Sequence, residues 1–569
     1  MDLPVTLHVL LLLCSLSAVV RACPDKCRCV QTKVHCSYIP DFPTAVPSTT
    51  THLYLSECSF TTLKPEDLTD FSDALRHFMI KDTSLREVRP GTFNSAPNID
   101  LLGVTGTDIH DLPESLFERL QKMETLILKS NNLSVVRPQW FSLMTELKNL
   151  DLSQNNITSV PEETFHSLTK LQFLSLSENR ISHLHNETFK GLSELNTLRL
   201  RKNKLKEFPD GSLNDLVNLE ELLLQDNQIT HLQHDLFSKN LKLQKLFLSN
   251  NRLTSLPQGI FLKMPLLSHI SLYENHLESL GPGVFGPMPL KELWLYDNQL
   301  RRLEDDTFRN LTQLRLLVLS RNKISNVSKG AFRGLDHLGE VSLHTNLLTT
   351  LQAGTFENMV NLVNISLEHN RFSSHSLGFL KDLSHLEQID LRNNSLSNLS
   401  QESLDALSVA QEVLLHQNPW RCDKDILPLR NWLKQHPSKV NLTFVSCDTP
   451  SNLFGNMIAT LSDKDLMPLD STKGPELTST EKTRIPKTPP PKQSSPSPDV
   501  KTTPTTEIEE VTSSGKEDGG IVNNNSNILI AIAVVSTVII SAVIISCVCC
   551  KRNKRGKANI RHRNKNAVL

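Results

Sequence analysis

Residues 123–155 read METLILKSNNLSVVRPQWFSLMTELKNLDLSQN. Two segments of the form L-x-L-x-x-N end within it, at Asn131 and Asn155. The same segment recurs along the chain. Its final positions are Cys58, Thr83, Thr107, Asn131, Asn155, Asn179, Asn203, Asn227, Asn251, Asn275, Asn298, Asn322, Asn346, Asn370, Asn394 and Asn418. Thirteen of the fifteen intervals equal that from Asn131 to Asn155; the first is longer by one, and that from Asn275 to Asn298 is shorter by one. In each unit the apolar residues three and five before the final position alternate, as on a strand burying one face; Leu126 and Leu128 are one such pair.

Self-similarity at this period is the signature of a leucine-rich-repeat solenoid. The expected fold class is an α/β solenoid with a curved parallel sheet on the concave face and an irregular or short-helical convex side. Sixteen strands at ~4.8 Å spacing give an arc of roughly 75 Å. The recurring Asn sits where the chain leaves the strand. Its amide both donates and accepts, so it can satisfy backbone groups of adjacent turns. Thr and Cys fill the slot more weakly, which makes Cys58 a ladder residue. Ten places further on stand Phe93, Phe117, Phe141, Phe165, Phe189, Phe237, Phe261, Phe285, Phe308, Phe332 and Phe356. These are expected in the core, with Leu213, Leu380 and Leu404 substituting elsewhere.

Working outward, residues 51–417 hold the repeats. Solenoid ends expose apolar faces and require caps. Cys23, Cys27, Cys29 and Cys36 mark an N-terminal cap over 23–50; Cys422, Cys447, Trp420 and Trp432 mark a C-terminal cap over 418–469. Residues 1–22 contain the short apolar run LHVLLLLCSL and read as a secretory signal peptide. Ile528–Cys550 is an uncharged apolar run long enough to cross a bilayer as a helix. Lys551, Arg552, Lys554 and Arg555 follow at once, which sets the N-terminus outside. The expected topology is single-pass type I at the plasma membrane. Secretion favours disulfides over a zinc site in the first cysteine cluster.

The two caps, FGPMPLKELWLYDN (285–298), NPWRCDKDILPLRNWL (418–433) and RHFMIKDTSLREVRPGTF (76–93) resemble vertebrate extracellular leucine-rich-repeat membrane proteins. The group is that of platelet glycoprotein V and leucine-rich repeat-containing protein 15. The resemblance covers residues 23 to about 469 and the stalk, helix and tail layout. It implies Cys23–Cys29 and Cys27–Cys36 bridges. It also implies four cysteines in the C-cap, but Lys424 replaces one and none occurs near Met467. Cys422–Cys447 is left as a single bridge.

Residues 470–527 form a Ser/Thr/Pro-rich segment, expected as a disordered, O-glycosylated stalk that shedding proteases could reach. N-x-S/T sequons fall at Asn132, Asn156, Asn186, Asn310, Asn326, Asn364, Asn393, Asn398, Asn441 and Asn524. Asn364 and Asn393 are expected on the concave strands. The basic tail, 551–569, has no Ser, Thr or Tyr. Cys547, Cys549 and Cys550 at the inner membrane edge are palmitoylation candidates.

Solvent-facing strand positions lie one, two and four before each ladder residue. They give Arg199, Arg201, Lys202, Gln225, Asp226, Phe247, Tyr273, Glu274, Trp294, Tyr296 and Asp297. The chain has four Trp and four Tyr, and three of those eight converge in two adjacent repeats beside Phe247. Exposed aromatics with charged neighbours form binding hot spots; the alternative is ordinary repeat filler. The twenty His are scattered, and no triad spacing, metal motif or phosphate loop occurs, so neither catalysis, a metal nor a cofactor is expected. Formal net charge is −1, against a nucleic-acid partner. The expected function is protein binding in cell adhesion. The resemblance implies matrix ligands such as collagen, fibronectin or laminin, or a membrane co-receptor in a haemostatic complex. A regulatory scaffold for a partner enzyme is a further alternative.

Overall fold

A computed structural model describes residues 23–71, 73–281 and 283–466. The expected signal peptide, stalk, membrane span and tail, with Asn524, Cys547, Cys549 and Cys550, lie outside the described residues. Among the described residues, no helix is long and apolar enough to cross a membrane.

The main sheet has 18 strands. An antiparallel hairpin, Cys27–Val30 with Lys33–Ser37, forms its N-terminal edge. Sixteen parallel strands follow, from His52–Ser56 to Glu412–Leu414, one for each ladder position. Neighbours pair one repeat apart in register, as Leu126 with Leu150 and Leu150 with Leu174. Most strands are only three residues long, because the residue before the ladder position turns the chain. That residue has positive φ in all sixteen repeats, from Glu57 (53°) through Gly106 (65°) and Asn250 (51°) to Gln417 (60°). For a non-glycine residue this left-handed conformation costs roughly 1–2 kcal/mol.

The ladder side chains offset that strain. Asn251 Nδ2 donates to Leu224 O (3.0 Å) in the preceding turn and to Leu248 O (3.1 Å) in its own. Its Oδ1 accepts from Ile229 N (3.0 Å). The same three bonds recur from Asn155 to Asn370. They persist at Asn298 in the short repeat, to Leu272 O, Leu295 O and from Leu277 N. Thr83 and Cys58 each donate a different bond, to the carbonyl two residues before.

The missing residue of the short repeat is therefore absorbed elsewhere. Phe261 pairs with Phe285, a full repeat on, but Ile270 pairs with Leu293, one position short of a full repeat. The deletion lies between Phe285 and Leu293, in the run GPMP. At Gly286 a Cβ would stand 2.5 Å from Leu262 O and 2.7 Å from Leu262 Cα. Gly286→Ala is expected to cost about 1–3 kcal/mol in urea unfolding through this backbone clash. Gly281→Ala, with nothing within 4 Å of its Cβ, is expected to be near neutral.

All eleven recurring Phe rings are buried and run in file, with centroids 5.5–6.3 Å apart where neighbours stack. Trp140 wedges edge-on between Phe117 and Phe141. The N-cap is closed by Cys23–Cys29 and Cys27–Cys36 bridges. At the C-terminal end, α1 (Gln401–Leu407) of the last repeat packs on α2 (Leu427–Gln435) of the cap. Trp432 Nε1 donates to Ser408 Oγ (2.7 Å), and Lys439 O accepts from Val413 N (2.9 Å) in the last strand. Cys422–Cys447 ties the cap.

Candidate binding face

Alternation along each strand places positions four and six before the ladder residue on the open sheet face, with those one and two before it at the following turn. Phe247, Ser271 and Trp294 are register neighbours across three successive strands. Tyr273 and Tyr296 stack with centroids 4.6 Å apart and planes 8° from parallel. Trp294 meets Tyr296 edge-on at 6.2 Å. Trp294 is 37% exposed, the only one of the chain's four Trp that is not buried. Burial, then Tyr273 and the nearby charges of Glu274 and Asp297, push the Tyr296 phenol up to about 12, so it stays neutral.

These aromatics line a groove of about 620 Å³, together with Ser268, His269, Ser271, Pro289, Lys291 and Glu292. The groove lies where the short repeat leaves its strand entry without the usual backbone bonds. Elsewhere in this region the strand entry makes two backbone bonds to the preceding repeat. Ser268 N and His269 N both donate to Gln244 O (2.9 and 3.1 Å), and Arg315 N and Leu316 N both donate to Lys291 O (2.8 and 3.2 Å). Among the described residues, Lys291 N and Glu292 N make no corresponding bond to Ser268 O. The join keeps two register pairs where its neighbours keep three. His269 and Glu292 lie six places before their ladder residues and Lys291 seven, outside the one, two and four places read from the sequence.

The charged candidates are placed differently. Arg201 Nε is 3.0 Å from Asp226 Oδ2, and Lys202 Nζ is 3.7 Å from Glu178. Arg199 lies 3.7 Å from Glu221 and 5.0 Å over the Phe173 ring. Asp297 pairs with Arg321, Nε to Oδ1 at 2.7 Å. Arg199, Arg201, Lys202 and Asp226 thus form inter-turn pairs over repeats six to eight, beside the aromatic groove rather than inside it. Glu274 stays exposed, outside the groove lining. Asn364 and Asn393 are half-buried, Asn364 on its strand and Asn393 just before the ladder Asn394.

A second polar cluster lies on repeats fourteen and fifteen. Arg392 pairs with Asp390 (Nε to Oδ1, 2.9 Å) and with Glu368. Burial, then the hydrogen bond and charge of Asp390, push Glu368 up to about 7 against the pull of Arg392. A carboxyl whose folded pKa exceeds its unfolded one stabilises most below the unfolded value, and loses that contribution as pH rises through 7. Between pH 5.5 and 8 this site is expected to cost the chain about 1–2 kcal/mol. Urea unfolding at both pH values should show the difference in wild type and lose it in Glu368→Gln.

A continuous parallel sheet on a stacked ladder defines a solenoid scaffold for protein interaction. The leucine rich repeat family profile matches nine overlapping segments that together span residues 97–396, more than half of the chain. The chain belongs to the leucine-rich repeat family. It is 36% identical over 63 residues to the human platelet glycoprotein Ib beta chain, 11% of this chain and 31% of that one. It is 33% identical over 66 residues to mouse SLIT and NTRK-like protein 4, 12% and 8% respectively. It is 46% identical over 44 residues to human leucine-rich repeat-containing protein 15, 8% of each chain. The chain thus spans under a third of each of these relatives. Among solved structures, the Drosophila Toll–Spatzle complex superposes with TM-score 0.54 at 18% identity, over 77% of this chain and 75% of that one. A Leptospira interrogans leucine-rich-repeat protein gives 0.51 at 24%, over 71% and 93%. Both show the fold alone.

Proposed function

We propose that this chain is a non-catalytic, single-pass type I cell-surface protein that binds an extracellular protein through the sheet face of repeats ten and eleven. The observation that carries this reading is the aromatic groove at the opened join. It gathers large, partly exposed rings and a backbone carbonyl without its strand-entry bonds on an otherwise regularly bonded sheet, as binding hot spots do. The inter-turn pairs at Arg201–Asp226 and Lys202–Glu178 form its charged flank and set the partner's approach. Glycans on Asn364 and Asn393 cover repeats fourteen and fifteen and leave this face open. The ligand class is a matrix protein such as collagen, fibronectin or laminin, and the role is adhesion.

A second reading is that of a receptor-complex subunit, supported by the similarity to the platelet glycoprotein Ib beta chain. Affinity capture with the full chain separates the two. Saturable binding to a purified matrix protein supports adhesion. A stoichiometric membrane partner with no matrix binding supports the subunit role instead.

A further inference from the structure

The opened join is built to receive one kind of side chain. Four observations converge on it. Phe247, Tyr273, Trp294 and Tyr296 present ring faces and edges around a single groove. Glu292 lines that groove, its Oε2 accepting from Trp294 Nε1 at 3.3 Å. Among the described residues, Ser268 O accepts no hydrogen bond where the equivalent Gln244 O accepts three. Ser271, only 7% exposed and lining the groove, has an Oγ with no hydrogen-bond partner among the described residues. A buried polar group left without a partner keeps its desolvation cost, so a ligand that supplies one gains affinity.

Ring faces attract cations, and a carboxylate and open oxygens accept hydrogen bonds. A ligand for all of them is planar, cationic and rich in donors. Lysine offers a compact, strongly hydrated charge. The guanidinium of arginine is flat enough to stack and carries five N–H donors in a fixed fork. Lys291 is the opposing charge in the lining; it is exposed at the rim, where its chain can extend away into water.

We propose that the groove between repeats ten and eleven takes an arginine side chain from the protein partner. This rests on the binding face proposed above and names the group that face recognises.

The test needs no knowledge of the partner. Trp140, Trp420 and Trp432 are at most 3% exposed, so Trp294 is the fluorophore that solvent and ligands reach. The full chain is titrated with acetyl-Gly-Arg-Gly-amide, and with the same peptide carrying citrulline, the neutral near-isostere of arginine, while tryptophan emission is followed. The arginine peptide is expected to bind at least about tenfold more tightly than the citrulline peptide. Glu292→Gln, a conservative exposed change, is expected to remove that preference while leaving the far-ultraviolet circular dichroism unchanged. Equal binding of the two peptides, or a preference that survives in Glu292→Gln, overturns the inference.

Failure here is distinct from failure of the binding face. If the peptides do not discriminate but Trp294→Ala/Tyr296→Ala loses the captured partner, the face stands and arginine recognition falls. If arginine is preferred but that variant keeps its partner, the arginine site stands and the assignment of the partner to it falls.

Discussion

Replacing Asn251 by Leu is expected to lower the unfolding free energy by about 3–5 kcal/mol, although the two side chains have similar volume. The side chain is 5% exposed and lies in the middle of the ladder. Leucine leaves Leu224 O, Leu248 O and Ile229 N without these partners. Each group so orphaned costs about 1–3 kcal/mol, with some recovered by relaxation. The left-handed residue before it, Asn250, loses the bonds that offset its strain. Because each repeat is stabilised through its neighbours, the defect weakens both joins of the ninth repeat. Urea unfolding of the full chain, followed by far-ultraviolet circular dichroism, measures the loss. Asn251→Thr is expected to fall between, since Thr83 keeps a bond to the carbonyl two residues before, the counterpart of the one Asn251 makes to Ser249 O. The exposed neighbour provides the control: Arg252→Leu should change stability by no more than about 0.5 kcal/mol.

The second large effect is on binding. Trp294→Ala/Tyr296→Ala is expected to weaken the captured partner at least about a hundredfold, or ~3 kcal/mol. Removing both rings unstacks Tyr273 and opens one wall of the groove. The fold should tolerate this. Trp294 is exposed and Tyr296 half-buried on the sheet face, whereas the core at those turns rests on Leu293 and Leu295, both fully buried. Surface plasmon resonance gives the affinity, and unfolding midpoints report the fold. The charge pairs should behave differently. Arg201→Ala removes one side of a half-exposed pair with Asp226, and is expected to shift affinity by less than about tenfold, mainly through association rate.

Much of this architecture is legible in the sequence because the ladder imposes one chemistry on every turn. The asparagine positions, the inward leucines and the buried phenylalanines follow from period alone. The left-handed residue before each ladder position does not, because side chains as unlike as Lys202, Asn250, Glu274 and Arg321 occupy it. What they share is the hydrogen-bond pattern of the following residue, which is a property of two turns and not of one. The site is legible in part. Phe247, Tyr273, Trp294 and Tyr296 stand out by composition and register, and they line one groove. The basic residues Arg199, Arg201 and Lys202 stand out equally well. The acids that pair with them, Glu221, Asp226 and Glu178, lie in the adjacent repeat and are neighbours only once the coil is wound. The groove lies at an omission. One residue fewer between Phe285 and Leu293 leaves Ser268 O without the strand-entry bonds that Gln244 O and Lys291 O accept. The shortened interval from Asn275 to Asn298 was the only trace of it in the sequence.

Amide hydrogen exchange on the full chain, with and without its captured partner, tests the central claim most directly. Among the described residues, Lys291 N–H and Glu292 N–H lack the bonds to Ser268 O that other strand entries make, so a peptide spanning 290–296 exchanges early at its strand entry. If the partner occupies the opened join, exchange in that peptide slows by at least about tenfold on binding, together with the segment 268–273. Protection confined to other repeats, with 268–273 and 290–296 unchanged, would contradict the placement of the binding site.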